Sequence, residues 1–226
     1  MSFFFPRLIA QTAEVRLRLA AVPQIQDALA GRLPLASYVA YLGEAYHHVR
    51  HTVPLMRAAQ ARMSPRQSRF RAALDDYIAE EAGHESWILD DIGHCGGDPE
   101  AVRRGRPREA TRRMVDYVYD YIAEKNPMGV FGMVLVLEGA SVSLAAQGVA
   151  ALSASLGLGP ECFSYLSSHG SLDQTHMAYF HSLMDEVDDP EDQAAIVEVA
   201  QRVHDLYAEV FEAIPRHLEP TDVARG

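Results

Sequence analysis

Cysteine, lysine and tryptophan are nearly absent from this chain of 226 residues, which has two cysteines, Cys95 and Cys162, one lysine, Lys125, and one tryptophan, Trp87. The cysteines stand far apart, with no CxxC and no Cys/His finger spacing. That excludes a disulfide framework and a structural zinc site, and suits a reducing cytosol. Positive charge is also short: the net charge of −11 and pI near 5.3 argue against a nucleic-acid backbone or an anionic membrane as partner. The one basic cluster, Arg103, Arg104, Arg106 and Arg108, with Arg112 and Arg113 behind it, reads as a solvated loop and helix start. The first six residues hold three phenylalanines but no basic stretch, so they read as a short packed arm rather than a secretory signal. A cytoplasmic protein is expected.

Alternating strand patterns, Asn-Gly hairpins and fixed-period repeats are missing too, whereas apolar residues at three-and-four spacing run through most of the chain. These features predict an all-α fold. With 48% hydrophobic residues and no linker composition, one helical domain over residues 1–226 is expected. Helices are predicted over residues 7–29, 37–63 with a kink at Pro54, and 64–93 opened by Ser64 and Pro65. Further helices are predicted as a short piece from Asp98-Pro99 before Gly105, over 109–124, from Asn126-Pro127 to before Gly157, across residues 169–176, and from Asp189-Pro190 to about residue 217. Between Lys125 and Glu161 the only ionisable side chain is Glu138. Such a run could span a bilayer by length, but Gly, Ser, Ala and a central carboxylate fit a helix buried inside a bundle. A buried lone carboxylate needs a counter-charge, and a metal ion supplies one.

Two copies of one pattern carry the chemistry. Glu44 is followed a helix-hairpin later by Glu81-x-x-His84, and Glu138 by Asp173-x-x-His176, with His169 a turn earlier on the same stripe. Carboxylate and histidine three residues apart share a helical face, and bundle proteins holding paired iron or manganese use such pairs plus one Glu from each neighbouring helix. Four carboxylates neutralise two divalent cations, and imidazole suits iron. Each element has a plainer reading. Glu80 to Glu85 could be an exposed acidic face, Glu138 an interhelical hydrogen-bond acceptor, and the 169–176 stripe a polar face with satisfied histidines. His51, seven residues after Glu44, is an alternative ligand or a residue behind the ligands. A ferritin-like two-metal bundle also fits this spacing.

The run Glu44 to Pro54 (EAYHHVRHTVP), then Glu80 to Glu85 (EEAGHE), Asn126-Pro127, Leu137-Glu138-Gly139 and His169 to His176 (HGSLDQTH) resembles the haem-oxygenase-like diiron oxidases and oxygenases. These iron-containing redox enzymes share a superfamily with the TenA thiaminases and the pyrroloquinoline-quinone-forming oxidase. The resemblance spans about residues 38–184. It implies a bundle of about seven helices, two Fe(II) ions and O2 as cosubstrate, with Glu44, Glu81, His84, Glu138, His169, Asp173 and His176 as ligands. Members differ in how far the histidine follows the second-helix Glu. Here none stands seven or ten residues after Glu81, and His84 stands at three. The haem-binding branch uses a first-helix histidine, and this chain has none before His47; a thiaminase needs a pocket cysteine, which neither Cys95 in its Gly-rich loop nor Cys162 at a helix start recommends.

The expected function is oxidation of a small amino, fatty or aromatic acid, with Arg50 or the arginine cluster as anchor. The expected partners are that substrate and at most a second copy of the chain, with no nucleic acid and no membrane. The alternatives are a non-enzymatic helical binding or regulatory protein and a tetrapyrrole binder.

Overall fold

The computed structural model describes residues 3–216, with the side chains of residues 169–175 left outside that description. Twelve α-helices and no strand occur among the described residues: α1 (Phe4–Gln11), α2 (Ala13–Ala20), α3 (Pro23–Leu29), α4 (Leu35–Val49), α5 (Thr52–Arg62), α6 (Ser68–Glu81), α7 (His84–His94), α8 (Pro99–Arg104), α9 (Glu109–Glu124), α10 (Val130–Leu156), α11 (Ser164–Asp185) and α12 (Pro190–Glu212). The all-α class agrees with the sequence. The helix count exceeds seven because three long predicted helices are broken and the short α8 is added.

Each break has a local cause. Residues 7–29 divide at Thr12, whose hydroxyl donates back to the Leu8 carbonyl at 2.9 Å, and again ahead of Pro23, the first residue of α3. Residues 37–63 divide at Arg50 and His51 rather than at Pro54 itself, because proline lacks the N–H that would have reached back to the Arg50 carbonyl. Residues 64–93 divide at Gly83, which adopts φ +94°. A Cβ at Gly83 would meet nothing within 4 Å, so glycine is required there by the left-handed backbone and not by close approach.

The starts of α8, α10 and α12 follow the sequence closely. Asp98 accepts from the amides of Glu100 and Ala101, Asn126 accepts from Met128 N–H just before α10, and Asp189 accepts from Glu191 and Asp192. Apolar all round its first half, α10 packs along α11, α12 and α3. A Cβ at Gly132 would lie 2.5 Å from the Ile196 carbonyl, so that glycine lets the α10 and α12 backbones touch. With the 3-10 turn before it, α10 is long and apolar enough to cross a membrane by length and composition, but 61% of its most apolar window is buried within the bundle.

Candidate metal centre

Gly83 does more than end a helix. It turns the chain so that Glu81, in the last turn of α6, and His84, the first residue of α7, face each other, with His84 Nδ1 3.3 Å from Glu81 Oε2. The pair therefore meets across a turn and not along one helical face. Trp87, one turn into α7, stacks on the His84 ring at a centroid distance of 4.1 Å and fixes its plane. From the middle of α10 comes Glu138, and from α11 His176, whose Nδ1 lies 3.8 Å from Glu138 Oε1. One donor atom each from Glu81, Glu138 and His176 falls within 4.8 Å of the others, and all three residues are buried.

This arrangement fits a divalent cation. Two buried carboxylates side by side repel unless positive charge lies between them. Glu81 and Glu138 each have an imidazole beside them, a ligand type in its own right. A mixed oxygen and nitrogen donor set suits iron or manganese. Sequence reading missed Glu80. Its carboxylate meets His176 Nε2 at 3.0 Å, which favours the tautomer protonated there and leaves the Nδ1 lone pair facing the carboxylates, as acid groups behind metal-bound histidines do. Only the adjacency of two acids, Glu80 and Glu81, hinted at it.

Two expected residues are not brought to the cluster. Glu44 accepts from the Arg108 backbone N–H at 3.1 Å and from the Thr111 hydroxyl at 2.5 Å, with the Arg108 guanidinium at 3.5 Å. It is the remote N-terminal cap of α9, a carboxylate at the positive end of a helix dipole. A signal existed in the sequence: Pro107-Arg108-Glu109 offers no Ser, Thr, Asp or Asn to cap α9, and Arg108 makes no side-chain cap. The second, His51, places Nδ1 3.2 Å from the Tyr119 hydroxyl. His169 and Asp173 belong to α11, about four and three turns before its end, and their side chains lie outside the described residues.

A cavity of about 130 Å³ adjoins the centre. Glu81, Glu138 and His48 share its wall with mostly apolar side chains, and among the described residues neither arginine nor lysine lines it. Arg50 instead lies over the Tyr46 ring at 5.5 Å and is no anchor within the cavity. Burial pushes Tyr41 up to about 12 and Tyr207 well above the usual phenol value, so these two of the wall tyrosines stay neutral. Negative charge is thus confined to the carboxylate end.

Among curated proteins no relative matches at a significant level. Similar solved structures include a protein of haem-oxygenase-like fold from Shewanella denitrificans, 24% identical with a TM-score of 0.82, covering 91% of this chain and 88% of that one. A TenA homologue from Pseudomonas syringae is 14% identical with a TM-score of 0.78, covering 92% and 90% of the two chains. Haem oxygenase-1 from the cyanobacterium Synechocystis, determined with haem, is 14% identical with a TM-score of 0.73, covering 93% and 91%. At these identities the likeness establishes the haem-oxygenase-like fold. The profile of a family described as iron-containing redox enzymes matches residues 39–208, three quarters of the chain and all of the residues that build the centre, and the protein is a member of that family.

Proposed function

We propose that the protein is a nonhaem oxidoreductase that holds two Fe(II) ions and uses O2 to oxidise a small, largely apolar acid. The buried convergence of Glu81, Glu138 and His176 carries this reading. His84 joins through Glu81, and His169 and Asp173 join by their spacing before His176 on α11. Bound there, reduced iron would supply the electrons for O2 activation. The protein's own groups do the rest. Glu80 orients the His176 ring, Trp87 fixes the His84 ring, and the neutral cavity wall excludes water from the carboxylate end.

Charge counting supports an acidic substrate. Without Glu44, the three carboxylates Glu81, Glu138 and Asp173 leave one of the four positive charges on two Fe(II) ions unbalanced. A substrate carboxylate would neutralise it, in a cavity lined by no arginine or lysine among the described residues.

A tetrapyrrole reading draws on His48, an imidazole in the same wall. It leaves the paired carboxylates unexplained, since haem iron takes His, Cys, Met or Tyr and the ring brings acid groups of its own. Anaerobic Fe(II) loading followed by O2 decides between the two. Iron-dependent O2 uptake that accelerates with straight-chain or aromatic acids is expected, whereas one tightly bound haem per chain with no Fe(II)-dependent uptake would overturn the proposal.

A further inference from the structure

Along α10, Glu138, Ser141, Ala145, Gly148 and Leu152 line the cavity at helical spacing. The stripe covers about 21 Å of helical rise from end to end. The cavity is therefore elongated, with the carboxylates towards one end. At the other end stands α3, because Gly31, just past it, presses so closely on α10 that a Cβ there would lie 3.0 Å from the Ala151 carbonyl.

The segment after α12 is fastened to the first turn of α3. Gln24 of α3 donates both N–H bonds of its amide, to the carbonyls of Glu212 at 3.0 Å and Ile214 at 3.1 Å. Ser37 donates to the Pro215 carbonyl, and the Arg216 guanidinium Nε lies 2.7 Å from Asp27. These bonds satisfy a nearly buried amide and fix the backbone of a segment that has left its helix. Their result is that Ile214, 2% exposed, is held as part of the cavity lining, together with Gln24, Ile25 and Leu29.

We propose that Ile214, held in place by the Gln24 latch, is the residue that sets the length of apolar chain the cavity accepts. The proposal deepens the function given above, since it assigns the end of the same cavity that measures the substrate. A wall made of a fastened segment and not of a packed helix is a place where length can change without disturbing the metal end. Removing side-chain carbons from Ile214 opens space that its tethered backbone cannot collapse to fill, and a larger side chain takes space away.

The test uses the full-length, iron-free protein and the displacement of the neutral dye Nile red by saturated 1-alkanols, which avoid repulsion from Glu81 and Glu138. In the wild type each added carbon tightens binding about fourfold up to a cut-off length, beyond which affinity falls at least about tenfold. Ile214→Ala moves the cut-off to chains about two carbons longer, and Ile214→Trp moves it to shorter ones. Loss of stability alone shifts both variants the same way, so opposite shifts are the signature. An identical cut-off in all three proteins, shifts in one direction, or no displacement by any alkanol in the wild type overturns the proposal. Because neither iron nor O2 is used, this result stands or falls separately from the oxidase reading.

Discussion

Glu80 meets Nε2 of His176 at 3.0 Å while Nδ1 of the same ring looks towards Glu138 at 3.8 Å. The outer carboxylate thereby decides which nitrogen is free to bind metal. Because Glu80 is half exposed, solvent screens part of its effect. Glu80→Gln should weaken Fe(II) binding by about tenfold, at the low end for residues behind metal-bound histidines, without abolishing it. Anaerobic Fe(II) titration measures this. Unchanged affinity would show that Glu80 does not orient the ring.

Glu44 separates the structural reading from the sequence reading most sharply. As the cap of α9 it should matter for stability and not for iron. Glu44→Ala should lower unfolding stability by about 2 kcal/mol, the scale for losing charge-assisted hydrogen bonds and leaving a helix end uncapped, and Thr111→Val should lower it less. Iron affinity should stay at the wild-type value in both. A folded Glu44→Ala protein that binds no iron would restore Glu44 as a ligand.

His47, His51 and His204 are all shifted below the usual imidazole value, in each case chiefly by burial. The folded state then binds fewer protons than the unfolded chain once pH drops below about 6.5. Stability from these groups is present above that pH and is lost as pH falls towards their depressed folded values. Urea midpoints should therefore drop between pH 7.5 and pH 5.5. His204, whose Nδ1 lies 2.7 Å from the Ala200 carbonyl, is the clearest single contributor, and His204→Gln should show a smaller drop. A rise on acidification, or the same drop in the variant, would contradict this.

Much of the fold was legible because its signals are local. Asp98, Asn126 and Asp189, each ahead of a proline, cap helices where the sequence places them, and the bounds of α9 agree with the predicted 109–124. The breaks at Thr12 and Arg50 were missed, since a hydroxyl back-bond and an absent proline donor act two to four residues from the visible signal. That Glu81, Glu138 and His176 lie together, with His84 beside Glu81, was readable from residue type and spacing. Glu44 accepts hydrogen bonds at the start of a helix 64 residues away, and its local sequence does not separate such a cap from a carboxylate that binds metal. Glu80 was missed because its partner lies on another helix.

The cysteines, distant in sequence, come together: the Cys95 thiol lies 4.0 Å from the Cys162 carbonyl, and both are reduced and buried. Burial pushes the Cys95 thiol up to about 12, so little thiolate forms at neutral pH. Alkylation of the native protein at pH 8 should be slow, and fast once it is unfolded. Cys95→Ala and Cys162→Ser should keep Fe(II)-dependent O2 uptake. Loss of uptake with unchanged iron content would point to thiol chemistry instead.

Iron stoichiometry tests the central claim most directly. After anaerobic loading and desalting, metal analysis should find two irons per wild-type chain, and less than one in Glu138→Ala and His84→Ala proteins whose circular dichroism and melting remain cooperative. A wild-type chain that retains no iron, or variants that hold as much iron as the wild type, would contradict a metal centre at Glu81, His84, Glu138 and His176.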